Sequence, residues 1–226
     1  GASIYAIYSD MVLDNCLLTN RVAPEEYSMS IAVTALSCDL TVRNSTFIVE
    51  ETVGLGDYAL WCWLDWLDLE SRGATSIENC VFVSDGDYGG LEVDNAPATI
   101  TNCTFSGHGS GARALIVGTN DSATVLRNSI IAGDTSDGLL VEVYAGCTLQ
   151  VANSFISGGV DGARVYPDTA HDAAVVDLGG NLGLDDSVPG FVNAQNPPGP
   201  DTLFGTPDNG LRLVAGSPCI DTCPLD

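Results

Sequence analysis

The sequence contains no lysine, and its cations amount to seven arginines against 30 aspartates and glutamates, for a net charge of −23. A field of this sign repels nucleic acid and anionic membrane surfaces. No run of about 18 apolar residues is present either, so nothing in the sequence has the length of a membrane-spanning helix. We therefore expect neither a nucleic-acid partner nor a membrane span.

Residues typical of metal sites are also scarce. The two histidines, His108 and His171, are far apart, and no Cys/His spacing resembles a zinc site. The acidic clusters could attract calcium, but none has the spacing of a twelve-residue calcium loop. They are Asp85/Asp87, Asp185/Asp186 and Asp65/Asp68/Glu70. We expect no cofactor, leave calcium open and assign no metal ligand.

A short phrase returns six times along the chain. It consists of an aliphatic residue, a spacer, an asparagine, Cys or Ser, another spacer and an apolar residue. The asparagines are Asn15, Asn44, Asn79, Asn102, Asn128 and Asn153. Intervals of 23 to 35 residues between them are typical of a solenoid.

The phrase predicts two short strands joined at the asparagine. Apolar or small residues two before, one after and three after it alternate like a half-buried strand, but the phase breaks at the asparagine. Asparagine tolerates the left-handed conformation of a tight corner. A third strand is expected upstream in each period, for example Tyr58–Trp61 or Ala114–Val117. We predict an all-β, single-stranded, right-handed parallel β-helix of about six to seven rungs, with an asparagine ladder at one corner.

We divide this single domain into the rungs, residues 1–160, and a last irregular rung with a C-terminal capping segment, residues 161–226. Prolines accumulate after residue 188, which indicates a loop-rich ending. The first rung begins almost at Gly1, without a methionine or a secretory signal, so we expect a processed or excised chain. We also expect the first rung to present an open edge.

The eight cysteines fall into different roles by position. Cys16, Cys80 and Cys103 follow a ladder asparagine and are expected to be buried thiols. Cys80 and Cys103 lie on adjacent rungs, so a disulfide between them is left open. Cys219 and Cys223 form the best disulfide candidate, and an even cysteine count fits an extracellular setting.

The segment Thr99-Ile-Thr-Asn-Cys-Thr-Phe105, with Gly-rich leads into the next strand, resembles secreted right-handed parallel β-helix repeat proteins of bacteria. The wider resemblance is to the pectate-lyase-like superfamily. The stretches Val188–Val192, Asn209–Leu213 and Gly216–Asp221 look like the module that often closes such proteins. The resemblance implies the fold, but its members include lyases, hydrolases, adhesins and surface proteins without known activity.

Catalytic motifs of that superfamily are incomplete in this chain. Gly107-His108-Gly109 matches an element of polygalacturonase-type hydrolases, with Asp85 and Asp87 about one rung upstream, but the adjacent-Asp and Arg-Ile-Lys elements are absent. Lyase chemistry in that superfamily needs a basic residue beside carboxylates that bind calcium, and the candidate arginines lie in no recognisable motif. They are Arg113, Arg127 and Arg164. The sequence therefore favours a protein that is not an enzyme.

The aromatic residues Tyr58, Trp61, Trp63 and Trp66 are concentrated in the third rung. On a strand, Trp61 and Trp63 share one face. If that face is inward, they are core residues; if it is outward, they form a platform for sugar rings or for a partner. Both alternatives stay open.

These features favour an extracellular structural or surface protein that self-associates end to end into a filament or matrix. The alternative is a carbohydrate-binding module that uses the tryptophan cluster. A polysaccharide lyase or hydrolase is the third and least favoured function.

Overall fold

The fold is taken from a computed structural model. It describes residues 2–21, 31–50, 58–63, 73–84, 88–94, 97–108, 113–118, 123–133, 140–161, 165–168, 172–183, 188–202 and 209–219. Side chains at several strand positions within these ranges, including Tyr58, Trp61, Trp63 and His108, are not described.

The described residues form three parallel sheets. Sheet A contains β1 (Ala2–Ile7), β4 (Ile31–Leu36), β7 (Tyr58–Trp63), β10 (Tyr88–Asp94), β13 (Arg113–Val117), β16 (Val141–Val143) and β19 (Val165–Pro167). Sheet B contains β2 (Met11–Asp14), β5 (Leu40–Arg43), β8 (Thr75–Glu78), β11 (Ala98–Thr101), β14 (Ala123–Arg127), β17 (Thr148–Ala152) and β20 (Ala174–Asp177). Sheet C contains β3 (Leu17–Arg21), β6 (Thr46–Glu50), β9 (Val81–Ser84), β12 (Thr104–His108), β15 (Ile130–Gly133) and β18 (Phe155–Ile156).

The chain passes through sheets A, B and C in turn and then returns to A, so every strand pairs with the strand three elements away. This arrangement confirms the predicted all-β parallel solenoid. The described residues include no helix that is long and apolar enough to cross a membrane.

The core consists of ladders of equivalent residues from successive rungs. In sheet B, Ile100 pairs in register with Ile77 and Leu126, and all three are fully buried. In sheet C, Phe82 stacks on Phe47 and Phe105 with ring centroids 4.9 and 4.7 Å apart. Each rung thus places an apolar side chain on an equivalent side chain of its neighbour.

The rungs continue past residue 160. Strands β19 and β20 add a seventh strand to sheets A and B, while sheet C gains, among the described residues, only an isolated bridge between Phe155 and Leu182. The tail that follows contains an antiparallel bridge between Phe191 and Leu213. Ser217 Oγ donates a hydrogen bond to Pro189 O, which connects the two ends of this segment.

Candidate functional site

The connections between sheets differ greatly in regularity. Between sheets B and C, the first six rungs use two residues, an asparagine and a Cys or Ser, which we call the Asn corner. The connections from sheet C to sheet A differ in length and sequence. They span residues 22–30, 51–57, 85–87, 109–112, 134–140 and 157–164. Because insertions in solenoids collect on one face, which is often the binding face, the flanks of sheet A are the first place to seek function.

The Asn corner has a uniform backbone. All six asparagines take the left-handed conformation, with φ between 49° and 54°. Asn79 Nδ2 donates to Asn44 Oδ1 at 3.3 Å, and Asn44 Nδ2 donates to Asp14 Oδ1 at 3.1 Å. The Asn44 hydrogen bond and the nearby Arg43 guanidinium lower the pKa of the Asp14 carboxyl. These interactions satisfy polar groups and stabilise the corner.

A second ladder runs along the residue after each asparagine. The backbone N–H of Cys103 donates to Ser129 Oγ at 3.1 Å, and that of Ser129 donates to Ser154 Oγ at 3.2 Å. Asn181 ends this ladder, because its Oδ1 accepts the N–H of Ser154 at 2.9 Å. Neutral side chains thereby satisfy backbone donors that the corner would otherwise bury without partners.

A seventh corner, not predicted from the sequence, is formed by Gly180 and Asn181. Gly180 has a φ of +71°, and a side chain there would collide with Asn153 Oδ1. Glycine takes the left-handed conformation easily because it has no side chain, so the backbone conformation of the corner is kept although the asparagine is replaced. The signal that could have revealed it is Leu182, which stands two residues after Gly180 and bridges to Phe155.

The described cysteines form no disulfide with one another. Cys80 and Cys103 are buried thiols, and the hydrogen bond between them together with burial raises the pKa of Cys103 well above its ordinary value. Burial also raises the pKa of Cys62 to about 12. Cys62 and Cys103 are therefore protonated at neutral pH, whereas the hydrogen bond with Cys103 lowers the pKa of Cys80. Cys223 lies outside the described residues, so the Cys219–Cys223 disulfide stays a prediction.

Sheet A differs from sheet B in being buried on both faces over part of its width. Consecutive residues of β4, β13 and β16 are buried, whereas buried and more accessible residues alternate along β5, β8 and β11. In β13, Leu115 belongs to the core, yet Ile116 beside it is only 3% exposed. The outer face of sheet A, with Thr34, Ile116 and Glu142, is thus largely shielded from water.

A polar cluster stands on this shielded outer face. The Arg113 guanidinium and the Glu142 carboxylate form an ion pair, with side chains 21% and 11% exposed. Burial and the Glu142 carboxylate raise the pKa of the Tyr144 hydroxyl to about 12, and Glu92 contributes to the same shift. The sequence analysis considered Arg113 without a partner and missed Glu142 and Tyr144. Glu142 lies in β16 and Tyr144 directly follows that strand, and neither position carries a signal in the sequence, because only tertiary packing makes this outer face dry.

The predicted aromatic cluster maps to sheet A as well. Tyr58, Trp61 and Trp63 lie in β7, where Trp61 pairs in register with Thr34 and Glu92. Leu60 and Cys62 of the same strand are buried in the core. Trp66 lies outside the described residues. The backbone therefore brings the tryptophan strand and the strand of Glu92 together, and an aromatic platform stays a prediction.

The remaining candidates are not brought together. His108 ends β12, and Gly109 lies outside the described residues, as do the three acidic clusters, Arg164 and His171. Arg127 is exposed on β14 of sheet B, in the same rung as Arg113 but on a different sheet. Within the described ranges, no three His, Cys, Asp or Glu side chains are grouped as metal ligands would be.

Comparisons with protein-family models, with curated proteins and with solved structures gave no match. Any functional conclusion must therefore rest on the molecule itself.

Proposed function

We propose that the chain is a non-enzymatic extracellular structural β-solenoid, related to the pectate-lyase-like fold, that associates end to end through its first rung. The supporting observation is the state of that rung. Strands β1, β2 and β3 each have a sheet neighbour on one side only among the described residues. Unpaired strand edges are templates for the addition of further strands.

Core side chains of the first described rung are also more accessible than those of the second. Ile4 and Leu18 are half-buried, whereas their register partners Val33 and Phe47 in the second rung are fully buried. A further rung stacked on the first would bury this apolar cross-section, with a gain of roughly 25 cal/mol per Å² of apolar surface. A second copy of the chain supplies such a rung in this proposal.

A pair of charge substitutions on β2 tests the association. Met11→Asp places a carboxylate in the half-buried cross-section, and Val12→Asp places the same charge one residue away, at a position 62% exposed. We expect light scattering and negative-stain microscopy to show assemblies of the unchanged chain and of Val12→Asp, and monomers of Met11→Asp. Monomers of the unchanged chain at high concentration would falsify the proposal.

A second candidate function is carbohydrate binding on sheet A. It is favoured by the position of β7, which carries Tyr58, Trp61 and Trp63, between the irregular connections that flank this sheet. Aromatic rings provide flat apolar surfaces that suit sugar rings. A glycan array should show binding by the unchanged chain and loss of binding by Trp63→Ala. Tyr5→Ala, on the same sheet in the first rung, is the matched control and should bind as before. Equal binding by all three proteins would exclude this function.

A polysaccharide lyase or hydrolase is disfavoured, because the best-placed cation, Arg113, is engaged in an ion pair with Glu142. Incubation with uronic-acid polymers in the presence of calcium should release no product. Product release that Arg113→Met abolishes would overturn the non-enzymatic proposal.

A further inference from the structure

A cavity of about 190 Å³ lies beside the Asn corner of the fourth to sixth rungs. Asn102, Asn128 and Asn153 line one side, and Leu213 and Cys219 of the tail line the other. It is thus a groove between the solenoid and its tail. It lies apart from the outer face of sheet A and from the first rung, so the inference below does not depend on the proposed function.

The lining of the cavity is uncharged. Among the described residues that line it, none is Asp, Glu, Lys, Arg or His. This is unusual for a surface of a chain with net charge −23. A charged ligand would lose its hydration there without gaining an opposite charge, so the cavity favours a neutral ligand.

Two side-chain amides at this cavity lack the bonds that their equivalents make elsewhere. Along the first three rungs, the amides of Asn79 and Asn44 continue a hydrogen-bonded chain to Asp14. Among the described residues, the amides of Asn102 and Asn128 have no hydrogen-bond partner. The amide chain therefore ends where the cavity begins, and the two exposed amides that line it are accessible to a ligand as well as to water.

The ladder itself shows which chemistry satisfies such an amide. In this chain the partner oxygen belongs to a carboxamide, in Asn44, or to a carboxylate, in Asp14. Without a cation in the cavity, the carboxamide is the better partner. Leu182 and Leu213 add an apolar wall that suits a short aliphatic stem. The volume is below the roughly 300 Å³ of ordinary small-molecule sites, which limits the ligand to about one side chain.

We propose that the cavity binds a primary carboxamide on a short aliphatic stem, the chemistry of a glutamine or asparagine side chain. A free small molecule or a glutamine in a partner peptide can supply this group.

An NMR titration of the full chain tests the proposal with two probes of nearly equal shape, N-acetylglutamine methylamide and N-acetylglutamate methylamide. The amide probe should shift the side-chain NH₂ resonances of Asn102 and Asn128, and the acid probe should not. Asn128→Gly keeps the left-handed corner but removes one amide, so it should weaken binding about fivefold, the effect of one net hydrogen bond. Asn79→Gly makes the same change outside the cavity and should leave binding unchanged.

A glutamine-containing peptide distinguishes the two sources of the ligand. Tighter binding by the peptide than by the free probe indicates a partner chain, and equal binding indicates a small molecule. Leu213→Ala, which removes part of the apolar wall, should also weaken binding and leaves the corner intact. Equal response to the amide and acid probes, equal binding by the Asn128→Gly and Asn79→Gly variants, or no shift at all would overturn the proposal.

Discussion

The Asn corner and sheet A are built from the same rungs but follow different rules. At the corner, the first six rungs repeat one left-handed backbone conformation, and serine hydroxyls accept backbone N–H groups from neighbouring rungs. At sheet A, connections differ from rung to rung, and the outer face holds a shielded ion pair. The difference indicates that the corner maintains the coil, whereas sheet A is free to vary and can carry function.

The largest effect is expected from removing one ring of the phenylalanine ladder in sheet C, the sheet that follows the Asn corner. Phe82→Ala deletes a fully buried ring between Phe47 and Phe105. We expect a loss of about 3–5 kcal/mol in the free energy of unfolding, because the cavity cannot close without moving two rungs. Val83→Ala, at the next and more accessible position of β9, should cost far less. Denaturant titrations of both variants measure the difference, and equal losses would contradict a ladder-based core.

Arg113→Met tests the shielded face of sheet A. It leaves the Glu142 carboxylate, 11% exposed, without its cation, and we expect a loss of about 2 kcal/mol. Arg127→Met is the matched control, since Arg127 is exposed on sheet B and its loss should cost less than about 0.5 kcal/mol. The double variant Arg113→Met/Glu142→Met should recover part of the stability. If thermal unfolding places both single variants at the same stability, the outer face of sheet A is no drier than sheet B.

Two substitutions at one corner separate backbone conformation from side-chain bonding. Asn79→Ala places alanine, which disfavours the left-handed conformation, at a φ of 53° and removes the side-chain hydrogen bond to Asn44. We expect a loss of about 1–2 kcal/mol in the free energy of unfolding. Asn79→Gly removes the same bond but adopts the conformation easily and should cost clearly less. Chemical denaturation measures both. If glycine cost as much as alanine, the amide ladder rather than the left-handed backbone would dominate the corner.

The smallest expected effect concerns Tyr144. Its pKa is raised from 10.0 to about 12, so the neutral hydroxyl is favoured in the folded state. The contribution to stability is therefore complete below pH 10 and is lost as the pH rises toward 12. Since Tyr144 is 37% exposed, solvent screening should keep this contribution below about 1 kcal/mol. Tyr144→Phe should flatten the fall in stability over this pH range relative to the unchanged chain. An unaltered dependence of stability on pH would show that the pKa of Tyr144 is not raised in the folded state.

The fold could be predicted because its information is local and repeated. Each asparagine specifies a corner, and the alternation around it specifies which side chains enter the core. Asn181 and Gly180 escaped prediction because a glycine and a shifted amide perform at the seventh corner what Asn and Ser perform at the others. The tail could be recognised as irregular, but its contact with the fourth to sixth rungs could not, since no periodic pattern encodes the docking of a loop.

By itself, the sequence determined a parallel solenoid with an asparagine at one corner of each rung, because a phased phrase repeated six times admits few other structures. Tertiary structure alone decided that part of the outer face of sheet A is dry, that Arg113 meets Glu142 there, and that the tail lines a groove together with Asn102 and Asn128. The physical reason is that alternation specifies the direction of a side chain from its own strand. What covers that side chain depends on segments distant in sequence, and the sequence of the strand itself does not indicate which segments these are.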